Sequence, residues 1–194
     1  MEQRSSEWFA IRRGKMTASK ASVIATGGVG LETYILELMA EYYSNAEQEQ
    51  LTNKDIERGI ELEPQARMAF ELKTGLTVHQ IGFIEYNEYI GCSPDGLIGS
   101  DGLVEFKAPN DKNYLKLIID GKIKPEYIAQ MQMQMYVTKR DYCYFCSYNP
   151  NFEKSLWIKK IDKDLAFFDK LEKGFEKGIT LIKQVKEKVE NGET

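Results

Sequence analysis

Fifteen consecutive residues, Ser93 to Lys107, constrain this chain more than any other segment. Two short apolar runs, residues 97–98 and 103–106, flank the turn Gly99-Ser100-Asp101-Gly102, which is the pattern of a tight β-hairpin. Strand side chains alternate with period two, so Glu105 and Lys107 share one face while Val104 and Phe106 point the opposite way. If the two runs pair, Asp95 lands near Glu105 at the edge of the sheet. The neighbours Leu97, Ile98, Val104 and Phe106 predict a half-buried site.

Two carboxylates and a lysine on one poorly solvated face repel or titrate unless a cation joins them, and a divalent metal is the natural solution. Mg²⁺ prefers oxygen ligands and keeps several waters, which suits a pair of carboxylates facing a phosphate. The compact lysine ammonium can hold, or help deprotonate, an attacking water and stabilise negative charge on the phosphate. Asp95, Glu105 and Lys107 thus read as a hydrolytic phosphodiester site. An isolated E-x-K is common by chance. The Pro94-Asp95-Gly96 turn and the apolar strand frame raise this one above that background.

The rest of the chain frames the hairpin with helices. Thr17 and Ser19 sit where a helix N-cap belongs, before Ala21, Val23 and Ile24, and Gly27-Gly28 ends that helix. A second helix is predicted over residues 31–43, a surface loop over 44–53, and a long helix over 54–73. That long helix is expected to break or kink near Leu62–Pro64, with Gly75 as its C-cap. Strands are predicted over 76–86, 89–92, 142–148 and 156–161, and helices over 111–119 and 126–137, with Pro125 in a first helical turn. Asp162 is expected to cap a long amphipathic last helix. Its Lys-rich side reads as a solvated face over a core stripe, with a subunit contact as the alternative. The order predicts one α/β (α+β) domain over residues 1–194, a central mixed sheet flanked by helices.

Overall composition excludes several classes. With 42% hydrophobic and 29% charged residues, the chain of 194 residues can bury a real core. No apolar run approaches the roughly 20 residues that span a bilayer, and the N-terminus lacks a secretory signal. Three cysteines and no leader predict a reduced, cytoplasmic compartment without membrane association. The net charge of −4 does not advertise nucleic acid, but it is uneven: residues 1–20 hold five bases against two acids, and residues 21–72 three against ten. Local basic patches suffice to bind a polyanion. Cys143 and Cys146, three apart on a strand, point to opposite faces and make a poor chelate. One histidine, His79, excludes a His-based triad. Gly27, Gly28 and Gly30 form no phosphate-binding loop, so no nucleotide cofactor is expected.

Asp95…Glu105-x-Lys107 resembles the PD-(D/E)xK nuclease signature, and the surrounding sequence is similar to the phage lambda exonuclease and YqaJ-like viral recombinase group. The likeness runs in one order through Glu7-Trp8, Arg12-x-Gly14, Thr17-Ala18-Ser19, Gly59-x-x-x-Glu63-x-x-Ala66-Arg67, Cys92–Gly96, Glu105-x-Lys107 and Tyr127-x-Ala129-Gln130-x-Gln132, and continues over residues 142–150. The resemblance implies a restriction-endonuclease-like core and a Mg²⁺-dependent 5′→3′ exonuclease (Mn²⁺ as substitute) that leaves a 3′ single-stranded tail for recombination by strand annealing. It implies Asp95, Glu105 and Phe106 as metal-binding positions and Lys107 as the residue assisting the water. Glu63 and Gln130 would complete the catalytic set, and Arg12, Ser19 and Ser93 would bind a DNA 5′-phosphate. It also implies double-stranded DNA ends as substrate, a homo-trimer ring, a single-strand annealing protein as partner and a phage or prophage origin.

Bland readings stand beside several of these. Gln130 alternates with methionines in a way that also fits packing, Arg12 reads equally as a surface arginine, Ser19 as a cap, and Glu63 as an ordinary helix glutamate. Trp8 reads as an anchor of the N-terminal segment rather than a stacking platform. Ile56 stands where the family places a strand-separating wedge, and reads more simply as helix core. Three cysteines cannot supply the four-cysteine cluster of Cas4-type nucleases. An endonuclease or RecB/Cas4-like nuclease, or a catalytically silent DNA-end-binding module, remain the alternatives.

Overall fold

Ser5 opens the first helix, its side chain accepting a hydrogen bond from the Trp8 backbone N–H (3.2 Å), and α1 (Ser6–Arg12) follows in a computed structural model that describes residues 3–45 and 54–192. This helix carries too short an apolar pattern to be read in advance. β1 (Met16–Thr17), a 3₁₀ turn (Ala18–Lys20) and α2 (Ala21–Thr26) come next. The cap expected from Thr17 or Ser19 does not form, because Thr17 pairs in β1 and Ser19 lies inside the 3₁₀ turn. Gly27, in the left-handed region, ends α2 as anticipated, and α3 (Val29–Tyr43) follows. Of the stretch read as a surface loop, Ser44 and Asn45 are described and are not helical; the remainder lies outside the described residues.

α4 (Lys54–Thr74) runs unbroken through Pro64, against expectation. Proline removes one helical hydrogen bond, but Leu62, Ala66 and Phe70 on either side of it are all buried and hold the helix together by packing. β2 (Ile84–Asn87) is much shorter than the strand predicted over 76–86. Upstream of it the backbone finds other partners. Val78 N–H donates to Glu71 Oε1 (2.7 Å), His79 forms a lone bridge with Leu97, and Gly82 C=O accepts the Trp8 indole N–H.

β3 (Ile90–Cys92) pairs with β1 and β2 in a three-stranded sheet ordered β1-β3-β2. β4 (Gly96–Ile98) and β5 (Gly102–Lys107) form the expected hairpin. α5 (Asp111–Asp120) and α6 (Pro125–Thr138, proline at its start) lead to β6 (Tyr142–Tyr148) and β7 (Leu156–Asp162). The second sheet is ordered β4-β5-β6-β7 and is mixed: β5 and β6 are parallel, the outer pairs antiparallel. α7 (Leu165–Glu190) is capped by Asp164 rather than Asp162, because β7 extends through Asp162.

The four-stranded sheet separates two apolar layers. Val104, Phe106 and Cys146 face Ala66 and Phe70 of α4; Leu103, Cys143 and Phe145 face Met131 and Met135 of α6. Cys143 and Cys146 therefore do lie on opposite faces, as strand alternation requires. The other side of α6, with Ala129, Met133 and Val137, packs into a third cluster with α2, α3, α7 and the small sheet. α7 closes on α2 so tightly that a Cβ at Gly174 would fall on the Ile24 carbonyl oxygen. α6 is thus a central helix, and whatever polar groups it carries must find partners inside the protein.

Candidate active site

The β4–β5 register sets the site. Gly96 opposes Val104, so Asp95, one residue earlier, stands beside Glu105. Its Oδ2 accepts a hydrogen bond from the Phe106 backbone N–H (2.7 Å). Glycine is required next, since a Cβ at position 96 would fall on the Val78 side chain. Lys107 Nζ lies 2.5 Å from Glu105 Oε1 and 4.9 Å from the centroid of the Tyr127 ring. Gln130 Nε2 donates to the same oxygen (2.7 Å). Glu105 is only 1% exposed, so the site is buried more deeply than the sequence suggests.

Electrostatics follow from that burial. Desolvation, and next the charge of Glu105, push the Asp95 carboxyl well above the ordinary carboxylate range; Glu63 adds to the push, while Lys107 and the Phe106 N–H oppose it. For Lys107, burial alone would lower the ammonium pKa, but Glu105 and Asp95 outweigh it and hold the group charged. Lys107 offsets part of the charge that this enclosed pair of carboxylates carries, and a divalent cation between them would offset the rest.

The donor set fits a hard divalent ion. Among the described residues no three His, Cys, Asp or Glu side chains cluster as a metal cage. Two carboxylates with waters completing the shell are the arrangement Mg²⁺ favours. The Phe106 ring packs edge-on against Phe70 (centroids 6.0 Å apart) in the α4 layer, which leaves only its main chain as a possible donor.

Asp95 and Lys107 line a groove of about 1110 Å³, and Lys107 contacts the buried Glu105. Glu63 and Ile56 line it from α4, and Lys116, Lys122, Lys124 and Lys159 add positive charge. Glu63 is paired with Arg67 four residues on (3.2 Å). Ile56 is 41% exposed, so it is not core as the simpler reading had it.

Of the three residues expected at a 5′-phosphate, Arg12 and Ser93 are linked through Trp8, and Ser19 is not. The Arg12 guanidinium stacks 3.8 Å from the Trp8 ring centroid, and the Trp8 indole N–H donates to Ser93 Oγ (2.8 Å) and to Gly82 C=O (3.1 Å). Trp8 is therefore an anchor, as read from sequence. Burial lowers the Arg12 pKa, opposed by Tyr34 and Glu41. Ser93 is two residues from Asp95, which ties this group to the segment leading into β4. The Ser19 hydroxyl is exposed and lies 3.5 Å from that of Thr17. Sequence reading missed Gln134, which donates to Glu105 Oε2 (2.7 Å); its four-residue spacing from Gln130 was the available signal.

The sequence profile of the YqaJ-like viral recombinase domain matches residues 7–141. The chain belongs to that family. Among solved structures, an alkaline exonuclease from Laribacter hongkongensis is 34% identical with a TM-score of 0.83, covering 96% of this chain and 99% of that one. The same enzyme in complex with dAMP gives a TM-score of 0.85 at 34% identity, with the same coverage. A phage-related exonuclease from Haemophilus somnus shares the fold at 16% identity, with a TM-score of 0.69 over 90% of this chain and 96% of that one. An uncharacterised protein of Acanthamoeba polyphaga mimivirus is 26% identical over 159 residues, 74% of this chain. The chain spans 28% of that viral protein's length.

Proposed function

We propose that this family member is a divalent-metal-dependent deoxyribonuclease, a 5′→3′ exonuclease that removes one strand from the end of linear double-stranded DNA. The convergence of Asp95, Glu105, Lys107 and Gln130 at the end of the β4–β5 hairpin, beside a lysine-edged groove, carries this reading. The kinship with alkaline exonucleases supports it, and a relative that binds dAMP fits release of nucleoside 5′-monophosphates.

Asp95, Glu105 and the Phe106 main chain would hold Mg²⁺, or Mn²⁺ in its place; bound there, the ion would polarise the scissile phosphate and acidify a water. The chain's own residues do the rest. Lys107, held charged by its carboxylate neighbours, donates to the attacking water and offsets charge developing on the phosphate. Gln130 fixes one oxygen of Glu105 and adds no charge of its own. Glu63 contributes a third carboxylate at the groove, steadied by Arg67. Arg12, Ser93 and Ser19 grip the 5′-phosphate, the arginine through its fork of donors. The polarity, the 3′ single-stranded tail, a trimeric ring around the duplex, an annealing protein that takes up the tail, and a cytoplasmic phage setting complete the proposal. No helix among the described residues is long and apolar enough to cross a membrane.

Linear duplex labelled at either terminus, incubated with and without Mg²⁺, tests this reading. Label at the 5′ terminus should be released first, only with the cation. Scission of a covalently closed circle would make the protein an endonuclease, and end binding without nucleotide release would make it a binding module.

A further inference from the structure

α6 carries three glutamines at alternate positions, and each does something different. Gln132 faces the start of α7, donating to Asp162 C=O (2.9 Å) and accepting from the Asp164 N–H (2.8 Å). Gln130 and Gln134, four apart on one face, both turn to Glu105. Lys107 and Gln130 occupy Oε1, and among the described residues Gln134 alone occupies Oε2.

The last torsion of a glutamate is broad, so nothing intrinsic to Glu105 sets the plane of its carboxylate. One donor from the same helix on each oxygen does set it. Gln134 is fully buried, and its own Oε1 has no hydrogen-bond partner among the described residues. A buried amide with an orphaned carbonyl is a poor choice for packing, and its neighbours Met131, Met133 and Met135 show what packing alone selects on this helix. What the amide does achieve is the hydrogen bond to Glu105.

We infer that Gln134 is a positioning residue: it fixes the Glu105 carboxylate for a divalent cation while touching neither the cation nor the DNA. The inference rests on the proposed nuclease reading, in which Glu105 is a metal ligand.

Three variants decide it: Gln134→Leu, which keeps the volume and loses the donor; Gln134→Asn, which keeps the amide but is one methylene short; and Gln132→Leu, the control on the same helix. Free Mn²⁺ is followed by electron paramagnetic resonance during titration, beside the Mg²⁺ concentration for half-maximal cleavage, the KM for 5′-phosphorylated duplex ends and the melting temperature. Both Gln134 variants should bind Mn²⁺ about 10–100-fold more weakly, the usual cost of losing a group that orients a ligand. Their Mg²⁺ midpoint should rise in parallel, with KM for duplex unchanged at saturating Mg²⁺. Gln132→Leu should melt at lower temperature with its Mn²⁺ affinity intact. Parental Mn²⁺ affinity in either folded Gln134 variant overturns the inference, as does failure of both to fold, which would make Gln134 a residue of the core. If the unsubstituted protein neither binds Mn²⁺ nor releases nucleotides, it is the nuclease reading that falls. If that protein is active and the variants match it, only the role of Gln134 falls.

Discussion

The two halves of the proposed site are built on opposite plans. The catalytic half sits at the end of a hairpin inside the main sheet, where Glu105 is almost wholly buried and takes three side-chain donors within 2.7 Å. The end-binding half hangs on a seven-residue helix, where a single indole joins Arg12 to Ser93. The first is fixed by many bonds and tolerates little; the second depends on one ring and should fail by degrees. Chemistry needs its groups held closely, whereas a pocket for a terminal phosphate needs mainly charge and donors that can adapt.

The contrast is sharpest in the size of the losses. Asp95→Ala should remove hydrolysis to below detection, and Lys107→Ala should cut kcat by about 10²–10³-fold, as for other donors that meet developing charge. Duplex binding, measured by fluorescence anisotropy in Ca²⁺, should persist in both. Weak binding in parallel with lost cleavage would instead make the hairpin part of the DNA interface and erase the distinction between the halves.

Trp8→Ala should have a smaller and different effect. With the ring gone, Arg12 loses its platform and Ser93 Oγ its donor, while Asp95 and Glu105 keep every contact described above. The preference for 5′-phosphorylated over 5′-hydroxyl ends should fall about tenfold, in line with one well-placed cation–π contact, and kcat on long duplex should change little. Arg12→Lys retains the charge but not the planar fork, so a several-fold loss of the same preference is expected. Equal rates on both kinds of end in the unsubstituted protein would remove the phosphate pocket altogether.

The same division explains what was legible beforehand. Period two along residues 97–107 placed Asp95, Glu105 and Lys107 together, and the same rule sent Cys143 and Cys146 to opposite faces. These are relations within one element or between neighbours in sequence. The Trp8–Ser93 bond joins residues 85 positions apart, and no periodicity announces such a contact. Arg12, Ser19 and Ser93 were grouped only through family resemblance. Gln134 hid for a related reason: in a run alternating Met and Gln, spacing alone does not tell which amide meets a carboxylate and which meets a helix end. Of the strand predicted over 76–86 only the end from Ile84 formed, because side chains of Glu71 and Trp8, on other elements, took up backbone groups upstream of it. Nor did the pattern show that the strands divide into two sheets.

The smallest effect concerns stability, and its sign separates the halves once more. Burial and Glu105 raise the Asp95 pKa in the folded protein, so the fold binds a proton more tightly than the unfolded chain does. Without metal, the contribution of Asp95 to stability is therefore greatest in acid and is lost as pH climbs from the ordinary carboxylate value through the raised one. Asp95→Asn removes the charge that must be buried, and at neutral pH in chelator it should melt above the unsubstituted protein, by about 2–4 °C for each kcal/mol relieved. Mg²⁺ should raise the melting temperature of the unsubstituted protein and leave that of Asp95→Asn nearly still. Arg12→Gln, on the other half, should show no such reciprocal pattern, because the Arg12 guanidinium rests on an aromatic ring rather than beside a like charge. A variant Asp95→Asn that melts lower in chelator would mean that the carboxylate is already neutralised within the protein, by Lys107 and the Phe106 N–H, and that no cation is needed to hold the hairpin's charges together.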